Sequence, residues 1–355
     1  MEKGEWRIQY CLIHHCLSYY DIKGIPIFHE MNHITSQGLS HGLSHGFSPG
    51  TSLLSVLDFT RHQVLNYIHL AEGIRRYGPK RYPDKTLVTL FYEPSTRTSC
   101  SFQYAALKLG CNVIPITDKF SSVEKGESLE DTIKTVNYYG DAIVLRHPEK
   151  GSSKRAAAVS KVPILNAGDG DGEHPSQALL DIYTIYTELL KHGIQIGSET
   201  REPIIVTFLG DLKHSRTIHS LIHVLKLFPC IEFIYVNPPG LEMPEEIVEE
   251  LKELCIEQRT MTLDEAMPIT DVLYVTRIQK ERFKNPEDYS EANRVKQCID
   301  VSRMALAKKT MILMHPLPRL DEIAVEVDAD PRAVYFTQVE NGVYMRMAIL
   351  DKLFF

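Results

Sequence analysis

The residues best suited to chemistry lie in Phe91-Tyr92-Glu93-Pro94-Ser95-Thr96-Arg97-Thr98-Ser99. A β-branched and aromatic run ends there, Pro94 turns the chain, and helical spacing follows. Ser95, Thr96 and Thr98 surround one guanidinium with no apolar residue between them. At a helix start the unbonded N–H groups and the positive dipole end favour an anion. Arg97 can fork onto two oxygens, and the hydroxyls add donors. A helix cap needs one such hydroxyl. Three around an Arg point to a bound phosphate group.

Other segments carry the same logic. Arg146-His147-Pro148 follows a strand-like run, at the end where α/β sheets take ligands. The stretch from Asn166 to Gln177 holds three glycines and then His174-Pro175-Ser176-Gln177. Glycines there let backbone approach a ligand. His174 and Gln177, three apart at a helix start, point the same way and can polarise a carbonyl and bind an amide. Ser121 and Lys125 sit in a polar loop before a helix, and Lys125 beside Gly126 can swing over a ligand. In the second half, Arg216 follows one strand, Arg277 and Gln279 another, and His315-Pro316-Leu317-Pro318-Arg319 a third. Two separate arginines suit a ligand with two carboxylates. The flanking prolines expose the Leu317 carbonyl to an amine.

These residues need a scaffold of alternating strands and helices. Strands are expected at residues 86–92, 112–116, 142–145 and 163–166, then at 204–209, 233–236, 272–275 and 311–314. Pro115 puts the second of these at an edge. Helices are expected at 62–77, 98–109, 128–139, 154–160 and 175–192, then at 217–227, 244–257 and 301–307. A last helix, 343–353, follows Gly342. The fold class is therefore α/β: two doubly wound parallel-sheet domains joined by a long helix, with a C-terminal helix returning to the first. The expected domains are 51–185 with residues 338–355, and 186–337.

The bulk numbers agree. The chain has 355 residues, 43% hydrophobic and 24% charged, an ordinary composition for two globular domains. Its formal net charge of −7 argues against a nucleic-acid partner, so an anionic ligand must be held by a local positive cluster. No apolar run reaches the roughly 18 residues of a membrane span, and the chain reads as soluble. Seven widely spaced cysteines form no C-x-x-C pair, which fits a reducing, cytoplasmic setting rather than a disulfide framework or zinc ribbon. Residues 1–50 stand apart. They hold six histidines and a Gly/Ser-rich near-repeat with little to bury, so they are expected to be mobile. Their histidine spacing matches no metal site. Acidic Glu2, Glu5, Asp21 and Glu30 speak against a transit peptide.

Taken together and in order, Ser95-Thr96-Arg97-Thr98, the Ser121-x-x-x-Lys125-Gly126-Glu127 loop, Arg146-His147-Pro148, Gly172–Gln177, Gly210–Thr217, Arg277-Ile278-Gln279 and His315–Arg319 resemble aspartate carbamoyltransferase catalytic chains. The resemblance covers about residues 54–355 and is specific only jointly. It implies transfer of the carbamoyl group of carbamoyl phosphate to L-aspartate, in pyrimidine synthesis, with no cofactor. By position, Ser95, Thr96, Arg97 and Thr98 resemble the phosphate-binding turn, with Arg146 also on carbamoyl phosphate. Arg97, Thr98 and His174 resemble the groups that polarise the carbamoyl oxygen. Gln177 and the backbone of Leu317 and Pro318 correspond to holders of the carbamoyl amino group, and Arg216, Arg277 and Gln279 to the aspartate ligands. In the family Ser121 and Lys125 reach a neighbouring site, which implies a homotrimer. Ser176 stands where Thr is usual, Ser215 where Gly is usual and Thr337 where Arg is frequent. Asp171 adds a negative charge to the glycine-rich loop. An ornithine carbamoyltransferase is the nearest alternative, although that family carries Cys where this chain has Pro316. A silent scaffold subunit is the alternative from another class. The absence of a G-x-G-x-x-G after a strand argues against a dinucleotide-dependent dehydrogenase.

Overall fold

The computed structural model describes residues 50–117, 126–198, 202–283, 285, 287, 289–290 and 297–355. Residues 1–49, with the His-rich tract, lie outside the described residues, as do Ser121 and Lys125. No helix among the described residues is long and apolar enough to cross a membrane.

Helix α1 (Arg61–Tyr77) starts at a capping box in which Thr60 and Gln63 satisfy each other's backbone N–H. Then strand and helix alternate: β1 (Thr86–Phe91), α2 (Thr96–Lys108), β2 (Asn112–Thr117), α3 (Leu129–Val136), β3 (Ala142–His147), α4 (Ser152–Val159) and β4 (Ile164–Asp169). The four strands are parallel, in the order β2-β1-β3-β4. Pro115 lies in the edge strand β2. Helix α5 (Pro175–Leu190) leads to β5 (Ile204–Leu209), α6 (Arg216–Leu225), β6 (Ile231–Val236), α7 (Glu245–Glu253), β7 (Gln258–Thr260), α8 (Leu263–Ala266), β8 (Val272–Val275), α9 (Val301–Leu306) and β9 (Ile312–Met314). These strands form a second parallel sheet, β7-β6-β5-β8-β9. Helix α10 (Tyr335–Phe354) returns to pack on α1, α2 and α5.

Apart from the largely exposed edge strands β2 and β7, the strands of both sheets are buried on both faces, the reason they read as unbroken apolar runs. In the first, Leu87, Phe91, Val144 and Leu165 face α1, α2, α5 and α10. Val88, Leu90, Ile143 and Leu145 face α3 and α4 through Leu129, Ile133 and Ala156. In the second, Val206, Phe208 and Tyr274 join the first core, while Leu209, Ile234 and Leu273 pack with Leu263 and Met304.

Several expected boundaries move for physical reasons. Helix α7 stops before residue 257 because Cys255 is left-handed, with φ 55°. Helix α10 begins well before Gly342. That glycine is interior, where a Cβ would lie 2.7 Å from Arg346 Nη1 and 3.1 Å from Leu180 Cδ2. It permits close packing rather than starting a helix. The three-residue β7 and four-residue α8 are too short for periodicity to reveal.

Candidate active site

The carboxyl ends of both sheets open on one cleft of about 760 Å³. Ser95, Thr96, Arg97 and Thr98 enter from the start of α2, Arg146 from β3, and His174 and Gln177 from the start of α5. From the other side come Arg216 at the start of α6, Arg277 and Gln279 after β8, and Leu317 and Pro318 after β9. Thus every expected site residue that is described lines one cavity.

The local geometry exposes donors. Ser95 occupies the N-cap position of α2 but does not bond back to the helix, leaving its hydroxyl and the first-turn N–H groups for the cleft. His174 precedes α5 and also makes no side-chain cap bond. Pro175 at the first turn sacrifices no needed N–H. Arg97 Nη2 donates to the Leu317 carbonyl at 2.7 Å, linking the two sheets' loops. Leu317 has φ 54°, a conformation that costs a side chain on the order of 1–3 kcal/mol. Its N–H is held by His315 Nδ1 at 2.8 Å, and His315 Nε2 faces Glu322 at 2.7 Å.

The cleft is strongly positive although the chain is not. Arg97, Arg146, Arg216, Arg277, Arg282 and Arg346 line it, and Glu93 is the one carboxylate among the described lining residues. Arg146 Nε lies 3.2 Å from Glu93. Burial, then repulsion from Arg146, pulls the Arg216 pKa down to about 10. Burial and the neighbouring Arg146 and Arg277 lower Arg97 as well. His174 is 4% exposed, and burial followed by Arg216 and Arg146 holds its pKa well below the usual histidine value. It is neutral at pH 7. Like charges gathered this way are stabilised by anionic ligands.

Two loop expectations change. The glycine-rich loop approaches protein rather than ligand: a Cβ on Gly170 would stand 2.4 Å from the Pro148 carbonyl, and one on Gly168 3.1 Å from both Arg146 and Arg216. These glycines make room for the arginines, and Arg216 and Arg282 both donate to the Gly170 carbonyl. Ser215 has φ −84°, which any residue accepts, and Arg216 enters the cleft beside it. Asp171 is exposed and lies away from the cleft lining.

Glu93 sat within the first noted segment but had no expected role, and Arg282 lies just beyond the noted Arg277-Ile278-Gln279. Asp181, Gln338, Glu322 and Arg346 were missed. Asp181 is buried, four residues after Gln177, and accepts from Gln177, Gln338 and Tyr274. Burial, against those three donors, pushes its pKa up to about 7. Arg346 is 4% exposed, lies over the Phe102 ring and donates to the Gly342 carbonyl. A charged residue amid the apolar pattern of α10 was the available signal.

Comparison with known proteins agrees with this geometry. Residues 51–187 match the model of the aspartate/ornithine carbamoyltransferase carbamoyl-P binding domain, and residues 202–353 that of its Asp/Orn binding domain. The aspartate carbamoyltransferase catalytic subunit of Methanocaldococcus jannaschii is 45% identical over 309 residues, 85% of this chain and 97% of that protein. Multifunctional protein pyr1-3 of Dictyostelium discoideum is 46% identical over 86% of this chain, which spans only 14% of that much longer protein. The Trypanosoma cruzi aspartate transcarbamoylase, solved with carbamoyl phosphate and aspartate, superposes with a TM-score of 0.79 at 41% identity, covering 86% of this chain and 97% of that one. With both of its sheets matched and its cleft built from the expected residues, the chain belongs to the aspartate/ornithine carbamoyltransferase family.

Proposed function

We propose that the chain transfers the carbamoyl group of carbamoyl phosphate to L-aspartate, giving N-carbamoyl-L-aspartate and phosphate, in pyrimidine biosynthesis. The observation that carries this is one cleft with two anion-binding halves, the α2 turn with Arg146 on one side and Arg216 with Arg277 on the other. Residues 51–185 with the C-terminal helix would hold carbamoyl phosphate, and 186–337 aspartate. Ser95, Thr96, Arg97, Thr98 and Arg146 take the phosphate. Gln177 and the carbonyls of Leu317 and Pro318 take the carbamoyl amino group, and Arg216, Arg277 and Gln279 take the aspartate carboxylates.

The aspartate amine attacks the carbonyl carbon, and negative charge gathers on its oxygen. Arg97, Thr98 and neutral His174 donate to that oxygen. Ser176 Oγ stands 3.5 Å from His174 Nδ1, and with Ser176 as donor the ring proton sits on Nε2. The carbon–oxygen bond to phosphate then breaks, and the leaving phosphate accepts the amine proton. Ornithine fits poorly because a second ammonium would meet several arginines and a carboxylate already paired with Arg146.

A homotrimer with shared sites is part of this reading. Its support is the exposure of Tyr104 and Leu107, one turn apart on α2. Lys125 and Ser121 would enter a neighbour's cleft. The described cysteines Cys100, Cys111, Cys230, Cys255 and Cys298 are free thiols, consistent with a cytoplasmic setting. Phosphate release from carbamoyl phosphate with aspartate or ornithine as acceptor tests the function. Turnover with aspartate is expected; turnover with ornithine alone refutes the assignment, and none with either leaves a scaffold. Mixed Lys125→Ala and Arg97→Ala chains should regain activity if sites are shared.

A further inference from the structure

Asp181 does not line the cleft, yet its carboxylate holds two groups that do. Oδ1 accepts from Gln177 Nε2 at 2.9 Å and from Gln338 Nε2 at 2.6 Å, and Oδ2 accepts from the Tyr274 hydroxyl at 2.8 Å. Above its pKa of about 7 the ionised Asp181 offers these amides acceptors only, so both turn their NH2 groups toward it. Their carbonyl oxygens then point away. Gln338 Oε1 meets the His315 N–H at 3.1 Å, and His315 in turn holds the Leu317 N–H. Gln177 lines the cleft, and with its Nε2 engaged by Asp181 its Oε1 is the amide atom not committed to that carboxylate. Asp181 is fully buried, and these three donors offset the cost of removing its carboxylate from water.

We propose that Asp181 is the positioning residue for acyl-group specificity: by orienting Gln177, and through Gln338 the Leu317 loop, it makes this subsite an acceptor for an amino group. It thereby favours carbamoyl phosphate over acetyl phosphate, whose methyl group cannot donate. This rests on the reading that Gln177 holds the carbamoyl amino group. Freed from Asp181, the Gln177 amide can turn and present donors to a substrate group that has only donors.

The test compares the KM for carbamoyl phosphate with the Ki for acetyl phosphate as its competitor, in the full chain at saturating aspartate. Asp181→Ala is expected to raise the carbamoyl phosphate KM about tenfold, the value of one directed hydrogen bond, and to leave the acetyl phosphate Ki within about twofold. Asp181→Asn keeps the Oδ1 acceptor and should retain the wild-type ratio, as should Tyr274→Phe, which removes only the donor to Oδ2. Equal weakening of both ligands by Asp181→Ala overturns the proposal, and so does loss of the ratio in Asp181→Asn. Should Asp181→Ala fail to fold, Asp181→Asn still decides in that way, and Gln338→Ala supplies the positive arm with an expected loss of about threefold in the ratio. Gln177→Ala separates the two readings. If it keeps the ratio, Gln177 does not hold the amino group. If it collapses the ratio while Asp181→Ala preserves it, only the positioning role fails.

Discussion

At the scale of residues, the site gathers cations that repel one another until an anion arrives. Arg216 remains charged at neutral pH even with its pKa near 10, and its fork is directed toward the Gly170 carbonyl and the cleft. Arg216→Lys keeps the charge but loses the fork. It should raise the KM for aspartate ten- to a hundredfold with little change in that for carbamoyl phosphate, as steady-state kinetics will show. In the proposed reaction His174 is a neutral donor to the carbamoyl oxygen, so on that proposal His174→Ala should lower kcat about 10²–10³-fold while aspartate still binds. Because its pKa is depressed, kcat should not fall through protonation of this ring between pH 8 and 6; a fall that disappears in His174→Ala would contradict that state. Arg97, His174 and Arg216 were legible because each follows a strand or opens a helix. Asp181 was not: a lone acid in a helix reads as surface until the fold buries it.

At the scale of elements, helix starts and strand ends do the positioning. Ser95 stands at the N-cap position without capping, so Ser95→Ala should cost little stability, below the roughly 1 kcal/mol of a true cap. Its effect should instead appear as a higher KM for carbamoyl phosphate; a large drop in the urea midpoint with unchanged KM would restore the cap reading. Gly210 follows β5 with φ 117°, and a Cβ there would stand 2.2 Å from the Thr276 carbonyl. Gly210→Ala should therefore cost on the order of 1–3 kcal/mol in urea unfolding. It should also weaken aspartate binding, because the same turn leads to Arg216. The alternation of strand and helix was legible from period and composition. Helix ends were less so, since Gly342 reads as a breaker in sequence yet serves a helix contact in space.

At the scale of the whole molecule, burial sets a pH dependence. His69, His174, His219, His223 and His315 all have lowered pKa values with burial as the largest cause, His223 reaching about 4. Unfolded histidines bind protons near pH 6.5, so this stability is complete above that pH and is lost as pH falls below it. Asp181, raised to about 7, works in the opposite direction between pH 7 and its ordinary value of 3.8, but it is one group against five. The urea midpoint should fall from pH 7.5 to 5.5; a constant or rising midpoint would show that the histidines are not held neutral. The sequence by itself determined the two α/β halves, the hydroxyl- and Arg-bearing helix start at Ser95–Thr98 and the order of the residues that line the cleft, because local period, turn chemistry and helix-start polarity are written in neighbouring residues. Tertiary structure decided what depends on distant residues meeting. It brought six arginines to one cleft in a chain of net charge −7, put Glu93 on Arg146, and buried Asp181 beneath Gln177. Charge and desolvation act through space, so these consequences exist only once both sheets close on the same cavity.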